Sequence, residues 1–220
     1  MTSRQKVLAS IRTSVPTAAA DREQSYASIP RSYTRAGALA NKARIALMIE
    51  RLREYDAEVV ECAPDDLGAA IRSQIAAGSR RRLIVPPEIS AAGLIPATPN
   101  LDGLELIADR GLSTAEIEQA AGVVTEAFCG IAESGTIVLH HSAREGRRVL
   151  TLLPDWHLCI LRASQIVETL PEYFALVPQP PALITWISGP SATADIEMTR
   201  IKGVHGPRFL HVVMVHDLAQ

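Results

Sequence analysis

The chain has 220 residues, with 22 Lys and Arg against 24 Asp and Glu, for a formal net charge of −2. An apolar content of 47% excludes a disordered chain, and an isoelectric point near 6.3 argues against a generic nucleic-acid binder, which carries a basic excess. The length predicts one large domain or two small ones, with a core that needs neither metal nor disulfide staples.

Val7, Leu8 and Ile11 share one face of an N-terminal docking helix, with Ser3 as its cap. The first 20 residues lack the apolar core of a secretion signal. The longest stretch free of Lys, Arg, Asp and Glu, Tyr173–Ala194, is broken by Pro178, Pro180, Pro181 and Pro190. It cannot supply the roughly 20 mostly apolar residues of a membrane span. A cytoplasmic location without a membrane span is therefore expected.

Residues 16–35, rich in Ala, Ser, Thr and Pro, read as an irregular or extended arm. A stripe of Leu39, Ala43, Ala46 and Ile49, widened by Ile45, Met48 and Leu52, predicts a helix over Ala38–Tyr55. A strand follows at Ala57–Cys62. Pro64 and two acids then open a helix over Pro64–Ala77, with Leu67, Ala70, Ile71 and Ile75 as its apolar face and Gly78 as its stop. Arg81–Pro86 and Leu104–Ile107 read as strands, and Arg80–Arg82 as a solvated strand entrance. Ser113 and Glu116 fit a capping box that opens a short helix. Ala121–Thr125, Ile137–His140, Val149–Leu153, His157–Leu161, Ala182–Ile187 and Phe209–His216 read as further strands, with Trp156 and Trp186 in the core and Pro178–Pro181 as a surface connector. The alternation predicts an α/β fold: an open, mostly parallel sheet flanked by helices.

Cys62, Cys129 and Cys159 are widely spaced and form no CxxC, which suits buried free thiols better than a disulfide framework or an iron–sulfur ligand set. His140-His141 has no partner set with metal spacing, and no flavin or nicotinamide fingerprint is present. Neither metal nor cofactor is expected.

Three segments could carry chemistry. In Ile131–Leu139, a Glu133-Ser134-Gly135-Thr136 bend runs into an apolar strand. Gly135 permits positive φ and close approach, Ser134 and Thr136 offer hydroxyls, and Glu133 could be a nucleophile or general base. The plain alternative is a hairpin turn with a solvated Glu. In Ser188–Glu197, Ser188, Gly189, Ser191 and Thr193 follow a buried strand and precede a helical turn, where backbone N–H groups favour an anion beyond the carboxyl ends of strands. A capped surface turn is the alternative. Asp195 and Glu197 would orient Lys202 or Arg200, or simply be surface acids. In Lys202–Arg208, two glycines and a proline constrain His205 as a proton-transfer group, with Lys202 and Arg208 available to an anion. The alternative there is a structural turn before the last strand. The functional reading unites all three bends in one cleft.

Taken together, IAESGTIVL, TLLPDWHLCIL and SGPSATADIEMTRIKGVHGPRFLHVVMV resemble the LUD-domain family, in its lactate-utilisation protein C branch. SRQKVLASIR is similar to the helix with which those proteins begin. The resemblance is strong from the Thr120s onward and looser before. It implies residues 1–35 as an N-terminal helix and arm, residues 36–220 as the LUD α/β domain, and a fold similar to the sugar-phosphate isomerase, glucosamine-phosphate deaminase and CoA-transferase superfamily. It also implies an accessory or substrate-binding component that acts with the iron–sulfur lactate-utilisation proteins A and B in oxidising L-lactate to pyruvate. Such a component would bind a small anionic ligand, and a homo-oligomer stays open. The resemblance leaves open whether the chain is itself catalytic. One alternative is a free-standing enzyme for a sugar phosphate or CoA thioester, since Glu133-Ser-Gly resembles the Glu-x-Gly surroundings of the CoA-transferase nucleophile. Another is a regulatory or scaffold module whose loops only bind a partner.

Overall fold

The computed structural model describes residues 2–15, 19–78, 80–91, 103–193, 201–203 and 206–218. The chain divides into two compact units, Met1–Thr34 and Arg35–Gln220. The first unit carries helices α1 (Ser3–Ser14) and α2 (Ala19–Ala27). Thr2, one residue before the expected Ser3, caps α1: its hydroxyl accepts from the Gln5 amide while the Gln5 side chain accepts from the Thr2 amide. Val7, Leu8 and Ile11 are all exposed. Helix α2 replaces the expected irregular arm, because beyond Pro16 the run of Ala, Arg, Glu and Gln is helix-favouring.

The second unit contains, in chain order, α3 (Asn41–Glu54), β1 (Glu58–Cys62), α4 (Leu67–Ala77), β2 (Arg82–Val85), α5 (Pro87–Ala91), β3 (Glu105–Ala108), α6 (Thr114–Glu118), β4 (Gly122–Glu126), β5 (Cys129–Ile131), β6 (Thr136–Leu139), β7 (Trp156–Arg162), β8 (Ile166–Val167), α7 (Leu170–Leu176), β9 (Thr185–Ile187), β10 (Ala192–Thr193), β11 (Ile201–Lys202) and β12 (Phe209–Val215). Six strands form a parallel sheet in the order β1-β12-β7-β4-β2-β3. A smaller sheet, β8-β5-β6-β9, is antiparallel except where β5 meets β8, and β10 pairs with β11 as a short ribbon. The expected α/β class with a mostly parallel sheet describes the larger layer. Among the described residues, no helix is long and apolar enough to cross a membrane.

Strands β7 and β12 are buried on both faces, as central parallel strands require. Trp156, Leu158 and Ile160 of β7 pack with Leu67, Ile71 and Ile75 of α4. Cys159 and Leu161 turn to the other face, where α3 places Ile45, Met48, Ile49 and Leu52, and where Ile137 and Leu139 of β6 join the same core. Ala43 and Ala46 of the expected α3 stripe are exposed, so the buried face is the wider, larger-residue side.

Several expectations are corrected. Val149–Leu153 is not a strand. Arg148–Thr151 forms a 3₁₀ turn, started where Arg147 is held by the Asp109 carboxylate and the Leu112 carbonyl and closed by the Thr151 hydroxyl on the Arg148 carbonyl. Only the last three residues of Ala182–Ile187 are strand. Trp156 is fully buried, but Trp186, on edge strand β9, is 40% exposed on the wall of a cleft. Arg80 is not simply solvated: its guanidinium lies 4.5 Å from the Trp156 ring centre.

The Glu133–Thr136 bend is fixed by Gly135, whose φ is +60°. An ideal Cβ there would lie 2.7 Å from Arg51 Cβ and 3.0 Å from the Arg51 carbonyl carbon, so the bend lies directly on the α3 backbone. Gly135→Ala combines a left-handed alanine with this overlap, and we predict a loss of about 2–3 kcal/mol, read as a lower urea midpoint with an unchanged m value.

Candidate functional site

The register of the smaller sheet builds the first part of the site. Ile137 of β6 faces Ile187 of β9, so one step further along Thr136 meets Ser188. Their hydroxyl oxygens are 2.8 Å apart, and Thr136 Oγ1 is also 2.7 Å from Ser134 Oγ. This hydroxyl chain joins the first and second bends. The second and third meet at Ser191: its amide donates to the Pro207 carbonyl at 2.8 Å, and its carbonyl accepts from the Gly203 amide at 2.8 Å. An ideal Cβ on Gly203 would sit 3.0 Å from the Ala192 amide nitrogen and 3.1 Å from the Ser191 carbonyl carbon, so the two segments approach closely there.

A cleft of about 240 Å³ opens beside these contacts. Thr185–Ser191 forms one wall, Arg148, Thr151 and Leu152 form another, and Gly206 and Pro207 close the end. His157 and Leu210 form its floor. They are register partners, each the second residue of its strand, so the cleft lies at the amino-terminal ends of β7 and β12. This departs from the expected position beyond the carboxyl ends of the strands. The physical reason is local: Ser188 follows β9 of the smaller sheet, not a strand of the parallel one. The carboxyl ends of β2, β3 and β4 are instead covered by ion pairs. Buried Glu126 takes Arg144 at 2.8 Å, and buried Asp109 takes Arg147 at 2.6 Å. Buried Glu145 accepts from the amides of His140 and His141 and from the Ser142 hydroxyl.

Of the candidate residues, Ser188, Gly189 and Ser191 line the cleft. Ser134 and Thr136 reach it only through the hydroxyl chain, and Gly135 packs on α3. Glu133 is exposed, does not line the cleft, and donates its amide to the Glu168 carbonyl. Thr193 and Lys202 belong to the β10–β11 ribbon by their backbones. His205, Asp195, Glu197 and Arg200 lie outside the described residues. Arg208, expected on an anion, is held by both Asp155 oxygens at 2.5 and 2.8 Å.

Several cleft residues were not site candidates in the sequence, among them Arg148, His157 and Thr185, and Trp186 was expected in the core. No described lining residue is acidic. Arg148 is exposed at the rim and has no carboxylate partner among the described residues. His157 is buried, with Nε2 2.8 Å from Thr125 Oγ1, and burial pushes its pKa down to about 4, so the ring is neutral near pH 7. His141, at φ +58°, donates Nδ1–H to the Gly146 carbonyl at 2.9 Å, and its Nε2 lies 2.7 Å from the Thr185 hydroxyl oxygen. Behind Trp186 stands an aromatic column: Tyr173 meets it edge-on at 4.8 Å and bonds His140 Nε2, whose ring stacks on Phe128 at 3.7 Å. Among the described residues, no group of three His, Cys, Asp or Glu is placed to hold a metal.

This arrangement can hold a small, negatively charged molecule by a guanidinium and hydroxyls. The model of the LUD domain matches residues 45–215, from α3 to the end of β12. The chain is 40% identical over 170 residues to lactate utilization protein C of Deinococcus radiodurans, covering 76% of each chain. It is 32% identical over 176 residues to the protein of the same name from Bacillus subtilis, covering 73% of each. A solved structure, a DUF162 family protein from Deinococcus radiodurans, is similar at TM-score 0.63 and 33% identity, covering 81% of this chain and 99% of that one.

Because the folded protein keeps His157 neutral, the unfolded chain binds the extra proton between about pH 4 and the ordinary histidine value of about 6.5. Stability therefore rises with pH through that window. The contribution is complete above it and lost on acidification, by about 3 kcal/mol at most. His157→Gln flattens this part of the profile in urea denaturation measured across pH.

Proposed function

This chain belongs to the LUD-domain family, and on that footing we propose that it serves lactate utilisation as a small-anion-binding component. The observation that carries the reading is its 40% identity, over three-quarters of its length, to a protein named lactate utilization protein C. The cleft supports it: Ser188, Gly189 and Ser191 offer hydroxyl and backbone groups, and no described lining residue is acidic to repel an anion. In its finer form, the reading has the chain present or sense the substrate while the iron–sulfur proteins A and B carry the electrons from L-lactate on its way to pyruvate. Cys129 and Cys159 are buried, and burial raises both thiols, Cys129 to about 11 and Cys159 to about 12, which suits packing rather than ligation.

The alternative, an enzyme acting on a sugar phosphate or CoA thioester through Glu133, would have to place its substrate outside this cleft, against the exposed end of the α3-packed bend.

Deleting the gene in a host without a second lactate pathway is expected to abolish growth on L-lactate, with recovery from a plasmid copy. Normal growth of the deletion strain refutes the proposal. A Glu133→Gln copy is expected to restore growth fully, and hydroxylamine after incubation with acyl-CoA donors is expected to leave Glu133 unmodified. A trapped adduct favours the enzyme reading.

A further inference from the structure

We propose that the cleft recognises a short monocarboxylic acid carrying a hydroxyl or keto oxygen on the carbon next to the carboxylate, with the carboxylate on Arg148 and the second oxygen on His157 Nδ1. The inference rests on the reading that this cleft binds a small anion, and it assigns the groups that select the ligand.

Arg148 stands apart from the arginines around it. Arg144 is paired with Glu126 and Glu88, Arg147 with Asp109, and Arg208 with Asp155. The Arg147 pairing fixes the backbone one residue before the 3₁₀ turn, and that turn presents Arg148 to the cleft. A guanidinium beside a cleft with no acidic side chain among its described lining residues suits a carboxylate.

His157 supplies the second contact. The ring is buried and lines the floor, Nε2 is taken by Thr125, and Nδ1 has no hydrogen-bond partner among the described residues. A neutral imidazole can accept from a hydroxyl or donate to a keto oxygen, depending on which nitrogen holds the proton. Leu152, Ile187 and Leu210 offer an apolar surface to a short alkyl end. The volume of about 240 Å³ lies below the roughly 300–1,000 Å³ of pockets for drug-sized ligands, which suits a short acid.

The test is calorimetric titration and thermal shift on the full chain with L-lactate, pyruvate, propionate and inorganic phosphate. L-lactate or pyruvate is expected to bind about tenfold or more tightly than propionate, which lacks the second oxygen. Arg148→Met is expected to weaken binding by about 30-fold or more without lowering the melting temperature of the free protein. His157→Gln keeps a group near Thr125 but loses Nδ1, so lactate affinity should fall to that of propionate while propionate is unaffected. Unchanged binding by Arg148→Met, equal binding of propionate and lactate by the unaltered chain, tighter binding of phosphate, or no binding of either oxygenated acid each overturns the assignment. Growth of the deletion strain separates the two claims. Failure on lactate without acid binding overturns this inference and leaves the functional reading standing. Normal growth with Arg148-dependent binding does the reverse.

Discussion

Strand β12 lies between β1 and β7 and runs parallel to both, so it holds an interior position in its sheet. The cost is that both its faces must be apolar. Leu210, Val212, Val213, Met214 and Val215 are each 2% exposed or less. Full burial of such a side chain contributes about 1.5–3 kcal/mol, so this one strand holds a large share of the domain's cohesion. The same pairing fixes the site. Leu210 opposite His157 sets the floor, and the chain entering β12 must pass over it through Gly206 and Pro207, where it meets Ser191. The cleft is therefore a product of strand order as much as of the loops that line it.

Charge is distributed in the same logic. Acidic side chains buried at the carboxyl ends of β3 and β4 tie down the segment that crosses them. Burial alone would raise the Asp109 carboxyl, but the Arg147 guanidinium and the amides of Leu112 and Gly111 outweigh it and hold the group below the ordinary carboxylate range. With those arginines committed, Arg148 is the cation among the described residues that line the cleft.

Local signals were readable and long-range ones were not. The Ser113–Glu116 box needs only four residues of information, and both of its hydrogen bonds form. The helix α7 carries a similar signal in Pro171 and Glu172, whose carboxylate accepts the amides of Glu168, Thr169 and Gly37, yet the sequence reading assigned no element there. The apolar run Val149–Leu153 fits strand or turn equally well by pattern, and tertiary anchoring of Arg147 decides it. Ser188 and Ser191 were legible as a bend, and that bend lines the cleft. Arg148 was not, because nothing local distinguishes it from Arg147: which of the two meets Asp109 depends on a partner 38 positions away. Trp186 was misplaced for a related reason: burial of a strand residue depends on what packs on its face, and this ring meets Tyr173 and Phe174 while the rest of it stays 40% exposed.

The chain contains two tryptophans, and the fold gives them opposite surroundings. Trp156 is sealed in the core beneath Arg80, whereas Trp186 stands half in solvent on the cleft wall, edge-on to Tyr173. Intrinsic fluorescence from this protein is accordingly two separable signals: a blue-shifted, quencher-resistant emission that follows the integrity of the sheet, and a red-shifted, iodide-accessible emission that follows the cleft wall.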